Sequence, residues 1–166
     1  MRLNKIKNFC PEGVEFKALK YLTTYEQPAK YIVKNTNYKD EFTTPVLTAG
    51  QTFILGYTNE KEGIYPASRD NPVIIFDDFT GAFKWVDFPF KVKSSAMKIL
   101  HANTDFVTMR YLFYAMSCIK FSSREHRRIW IREYSEIKIP VPPLEIQKEI
   151  VRILDIFSDS TTGIIA

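Results

Sequence analysis

Residues 139–154 read IPVPPLEIQKEIVRIL, a proline-stiffened ramp that turns directly into a helix. Each proline ring fixes its own φ and drives the preceding residue out of the α region, so Pro140, Pro142 and Pro143 hold the first part extended. Pro143 also suits the first turn of a helix. Beyond the ramp, Ile146, Ile150, Ile153 and Phe157 recur at spacings of four, three and four, the pattern of a heptad seam. Leu144 and Leu154 widen the stripe, and Glu145, Lys148, Glu149 and Arg152 flank it. Such a seam demands a partner. A second helix and the helix's own domain satisfy the pattern equally, because only about two heptads are visible against the three or four that define a coiled coil.

Upstream, the chain of 166 residues at 45% hydrophobic content is enough for one core and an extension. The expected division is a domain over 1–139 and a proline junction with helix over 140–166. No run approaches the ~18 uninterrupted apolar residues of a membrane span, and residues 1–10 lack the apolar stretch of a signal peptide, so a cytoplasmic protein without membrane contact is expected. Cys10 and Cys118 are distant and lack CxxC spacing, which predicts free thiols. His101 and His126 are the only histidines, too few for a histidine-rich metal centre.

From Pro45 to Lys93 the texture is that of short strands (PVLT, TFILGY, PVIIF, FKWVDF, FKV) broken by glycine and proline. A short amphipathic segment is expected over Val14 to Leu22, and a helix with a buried face over Asp105 to Phe121, where Phe106, Met109, Leu112, Phe113, Met116 and Ile119 recur three or four apart. The fold class is therefore α+β: a compact domain of short, twisted strands and a few helices, followed by a protruding C-terminal helix that begins a coiled coil.

Charge is modestly basic, 23 Lys and Arg against 19 Asp and Glu, but unevenly placed. In KFSSREHRRIWIR (Lys120 to Arg132) five basic residues face Glu125 alone. This local field attracts phosphate; a solvated turn paired with carboxylates elsewhere is the competing reading. Trp130 beside the guanidiniums suits either base stacking or the core.

Three segments together, CPEGVEFKALKYL (Cys10 to Leu22), TPVLTAGQTFILGYTNE (Thr44 to Glu60) and IKIPVPPLEIQKEIVRILDIF (Ile137 to Phe157), closely resemble the DNA-specificity subunits of type I restriction-modification systems. The Ile-Pro-x-Pro-Pro-Leu-x-x-Gln junction before an aliphatic helix is the most specific of them. The resemblance implies a noncatalytic reader without cofactors that recognises one half of a bipartite site in double-stranded DNA. It implies as partners a modification (methyltransferase) subunit, a restriction subunit acting through the complex, and a second specificity half or a second copy of the chain. The family's spacer helix normally runs further than SDSTTGIIA (Ser158 to Ala166), so a half-subunit, a truncated product or a fragment is expected. The alternative is a decoy that occupies the methyltransferase subunit without reading DNA.

On this basis the expected DNA contacts are Thr48, Gln51 and Thr52 between two strands, Lys84, and the basic Arg124, His126, Arg127 and Arg128. Gln51 has the bidentate capacity that adenine requires. Leu144, Ile146, Ile150, Ile153, Leu154 and Phe157 are the expected partner helix. FDDFTGAFKW (Phe76 to Trp85) departs from the basic segment common in the family; Asp77 and Asp78 repel phosphate, although a carboxylate can accept from cytosine N4. Paired aspartates also suggest a Mg²⁺ nuclease, but no Glu-x-Lys element accompanies them. NPVI (Asn71 to Ile74) lacks the second proline and the aromatic of an adenine methyltransferase motif, and there is no GxxxxGK[ST] loop.

Overall fold

Ile74, Phe76 and Leu100 pack on one side of a sheet while Val73, Ile75, Met97 and Ile99 pack on the other, the alternation of strands covered on both faces. The computed structural model describes residues 10–50, 52–122 and 127–162, with side chains as far as 158. Its elements are β1 (Phe16–Ala18), α1 (Leu19–Leu22), β2 (Thr23–Glu26), β3 (Thr44–Leu47), β4 (Ile54–Thr58), β5 (Val73–Asp77), β6 (Phe83–Val86), β7 (Lys91–Val92), β8 (Met97–Ala102), α2 (Met109–Ser117), β9 (Lys138–Pro140) and α3 (Leu144–Thr162), with short 3-10 turns at Ala29–Tyr31 and Tyr134–Glu136. The central sheet has four strands in the order β2-β8-β5-β6, antiparallel throughout.

One face is covered by α1, α2, the start of α3 and the segment around Ile129, Trp130 and Tyr134. The other is covered by a three-stranded sheet, β4-β3-β7, through Leu47, Ala49, Val92 and the neighbouring Tyr65 and Phe90. All five expected strand runs form. Strand β8 was not anticipated, since a short apolar run before a helix has no periodicity to distinguish strand from helix. The segment over Val14 to Leu22 divides into β1 and the single-turn α1. Helix α2 is shorter than its apolar pattern. Thr108 caps it by accepting from Tyr111 N at 3.3 Å, and Phe106 falls in the preceding turn, held by its N–H to Asn103 O at 3.0 Å.

The proline ramp is built into the domain. Pro140 pairs with Phe16 across a β1-β9 ribbon, and Tyr111 donates to Pro140 O at 2.8 Å. Helix α3 is then locked by Gln147, which is fully buried. Its Oε1 accepts from Thr108 N at 3.0 Å, and its Nε2 donates to Phe106 O at 2.7 Å and Pro142 O at 2.9 Å. One amide thus joins the start of α3 to the start of α2. Ile146 is buried, and Ile150 and Val151 pack against the same core. Further along, Asp155 accepts from Arg110 Nε at 2.8 Å and from Tyr114 Oη at 2.5 Å.

The expectation of a helix that protrudes from its first residue is therefore corrected. The early part of the seam faces its own domain because the ramp delivers it against α2. Ile153 and Leu154 are half-buried, and Phe157, with its neighbour Ile156, is exposed.

Gln147→Ala leaves three backbone groups, buried or part-buried, without their partner and is expected to cost about 2–4 kcal/mol in urea unfolding; Gln147→Glu, which aims a carboxylate at two carbonyls, is expected to cost more. Burial pushes the Asp155 carboxyl up, but the hydrogen bonds from Tyr114 and Arg110 and the charge of Arg110 outweigh it and leave the group below its usual range. A carboxyl lowered by folding stabilises fully at neutral pH and loses that contribution as pH falls through the carboxylate range. Asp155→Asn is expected to lower the melting temperature at pH 7, and the difference from the parent should shrink as pH falls through and below the carboxylate range.

Candidate nucleic-acid interface

Strand polarity brings four segments to one end of the molecule. β3 and β7 run parallel, with Leu47 opposite Val92, and β5 ends at Asp77 opposite the first residue of β8, Met97. The turns that follow β3, β5 and β7 therefore emerge together, and Thr48, Asp77, Ser94 and Met97 line one small cavity between them. β2 finishes with Glu26 opposite Ile99, which brings Gln27 to the same end. α3 is anchored beyond the other end of β8, where Asn103 N donates to Leu22 O.

The basic segment joins this end through Asp78. Ile129 N donates to Asp78 O at 2.8 Å, and Trp130 N donates to Asp78 Oδ1 at 2.8 Å. Oδ2 receives both Lys98 Nζ at 3.0 Å and Arg128 Nη1 at 3.3 Å. Asp78 and Lys98 are each 1% exposed. A carboxylate so deeply placed is tolerable only when its charge is matched and its oxygens are bonded, and both conditions are met. Arg128 Nη1 also donates to Ser95 O at 3.2 Å, which fixes the guanidinium at the mouth of the turns.

Between Arg128 and β2 lies a cavity of about 620 Å³, lined by Gln27, Lys98, Arg127, Arg128, Ile131 and Arg132 over the Asp78 carboxylate. Arg127 is paired with Glu133 at 2.6 Å. Arg132 is exposed and makes no ion pair among the described residues.

The expected contact residues fare unequally. Thr48 and Arg128 both lie against the turn at 93–96, Thr48 beside Ser94 and Arg128 on Ser95 O. Thr48 Oγ1 accepts from Gly50 N at 3.2 Å, so its hydroxyl also shapes its own turn. Thr52 is exposed in that turn. Lys84 lies on the edge strand β6, half-buried and opposite Ile75. Gln51, Arg124 and His126 lie outside the described residues. Trp130 belongs to the core, edge-on to Phe76 at 4.9 Å and stacked on Tyr134 at 5.9 Å. Trp85 packs on Phe113 with the Arg110 guanidinium above it.

Neither repulsion of phosphate nor acceptance from cytosine N4 fits Asp78, because it is buried and bonded within the protein. Asp77 Oδ1 accepts from Phe79 N and Thr80 N at 2.8 and 3.0 Å and builds the β5-β6 turn. Sequence reasoning missed Gln27, Lys98 and the structural role of Asp78. The available signal was a lysine and an aspartate of opposite charge, each set against an apolar strand run, MKILHA and PVIIFD. Among the described residues no group of three or more His, Cys, Asp or Glu is placed to hold a metal.

The layered domain with its anchored C-terminal helix has the fold of type I restriction-modification specificity subunits of known structure. It matches the S subunit from M. genitalium with a TM-score of 0.64 at 14% identity, over 88% of this chain and 40% of that one. It also matches the HsdS subunit from Thermoanaerobacter tengcongensis with a TM-score of 0.54 at 15% identity, over 92% and 39%. The type I restriction modification DNA specificity domain family matches residues 11–166, and the chain belongs to that family. Among curated proteins it is 53% identical, over 163 residues, to the EcoR124I/EcoR124II specificity subunit of Escherichia coli. That alignment covers 92% of this chain and 40% of the relative, so the chain spans about two fifths of the relative's length.

The Asp78 cluster is open to a direct test. Asp78→Ala strands the buried Lys98 and is expected to cost about 3–5 kcal/mol by urea or thermal unfolding. Asp77→Ala, which removes only a turn acceptor, is expected to cost about 1 kcal/mol.

Proposed function

We propose that this chain is a noncatalytic reader of double-stranded DNA, which recognises one half of a bipartite site and positions a methyltransferase subunit and, through it, a restriction subunit. The carrying observation is the convergence of the turns after β3, β5 and β7 with the basic segment on one end of the domain, around a cavity dominated by cations. Thr48, Thr52, Arg127 and Arg128 belong to that end, with Gln51, Arg124 and His126 assigned to it by their place in the sequence; Lys84 is a lateral contact. Residues 1–139 do the reading and 140–166 the coupling, although the boundary falls inside β9. Leu144, Ile146 and Ile150 set the helix on its domain, while Ile153, Leu154 and Phe157 continue the seam towards a partner helix, either a second specificity half or another copy. A cytoplasmic setting suits this role. A decoy has no use for the basic cavity, whereas a reader does.

A single reading head with a few cationic contacts is expected to bind a duplex with a dissociation constant on the order of micromolar at physiological salt. Fluorescence anisotropy on labelled duplexes across a salt series tests this. Affinity should fall steeply and linearly on logarithmic axes; absence of binding even at low salt would sink the proposal.

A further inference from the structure

Resting on that reading, we infer that the cavity between Arg128 and Arg132 seats a backbone phosphate of the duplex, so that this segment sets the register of the DNA and leaves the bases to the strand turns. Four basic side chains line the cavity against one carboxylate. That carboxylate is already committed, with Oδ1 on Trp130 N and Oδ2 on Lys98 and Arg128. The buried Lys98 neutralises Asp78 from behind. Arg128, whose side chain is 49% exposed, is therefore left with positive charge directed outward.

Its donors are divided in the same way. Nη1 is held by Asp78 and Ser95 O, while Nε and Nη2 make no bond among the described residues. A guanidinium anchored on one nitrogen and open along its other edge suits an anionic oxygen pair. Phe79 lies 5.7 Å from the guanidinium carbon, which further restricts its rotation. Arg132 supplies a second cation across the cavity, and Gln27 a neutral donor.

A base-reading arginine presents two donors to guanine O6 and N7 at a groove edge. This one is tied at its head to Ser95 O and Asp78 beside a second cation, and we assign it to a phosphate, a contact that positions and carries no sequence information.

The test compares the parent with Arg128→Ala, Arg132→Ala and the double variant, on one set of duplexes of different sequence over a salt series. Each single change is expected to weaken every duplex about tenfold and to lower the salt slope by roughly one, with the ranking of duplexes unchanged. A duplex carrying a neutral methylphosphonate at one linkage should bind the parent correspondingly less well, and Arg128→Ala no worse than it binds the unmodified duplex. Arg132→Ala, at an exposed site without an ion pair among the described residues, should melt like the parent, which separates lost contact from lost fold. Salt-dependent binding by the parent that both variants reproduce unchanged overturns the seat. A changed ranking of duplexes assigns the arginines to bases and overturns it as well. Inorganic phosphate that displaces DNA better than chloride at equal ionic strength assigns the cavity to a free anion and overturns the backbone assignment. A parent that binds no duplex removes the DNA reading itself, a result distinct from the other three.

Discussion

A single buried ion pair, Asp78 with Lys98, fixes the relation between the sheet and the segment that crosses its end. Lys98 lies on β8 and Asp78 directly after the neighbouring β5, both inaccessible to water. Water would solvate each charge far better than protein does, so the pair persists only because the surrounding backbone completes it. Asp78 supplies that completion in both directions: its main-chain oxygen holds Ile129 and its side chain holds Trp130. Those bonds turn Trp130 inward against Phe76 and Tyr134, and leave Arg128 at the rim. Apolar packing and charge placement are thus two results of one carboxylate.

Gln147 plays the corresponding part at the opposite end. Helices usually owe their position to apolar contacts, which are tolerant of small rotations. A primary amide that bonds three backbone groups is not tolerant, and it fixes the angle at which α3 leaves the ramp. The prolines remove the alternatives on one side, and the Arg110–Asp155–Tyr114 contact removes them on the other. The seam consequently changes character along its length, from domain core at Ile146 to exposed surface at Phe157.

The parts of this structure legible in the sequence were those governed by local rules. Proline geometry located the ramp and the start of α3, and turn residues bounded β3 to β7. Strand β8 escaped because its apolar run carries no period. The start of α2 escaped because Asn103 and Thr108 capture backbone groups that the apolar pattern runs through. The direction of Ile146 could not be read either, since a seam does not say which of two surfaces it will meet. At the site, the excess of arginine was evident, but Asp78 looked like a surface acid. Its burial follows from pairing with a lysine 20 residues away, a relation with no local signature.

That relation also bears on how such a module can diversify. The turn after β7 is tied to the same cluster, since Ala96 O accepts from Asp78 N and Ser95 O from Arg128, whereas Thr48 and Thr52 after β3 make no bond to it among the described residues. Segment 127–132 cannot be exchanged alone, because its backbone is hydrogen-bonded to Asp78 and its charge is balanced against Lys98. Any replacement of that segment must therefore carry residues 78 and 98 with the arginines, as one unit, or supply a different buried counter-charge.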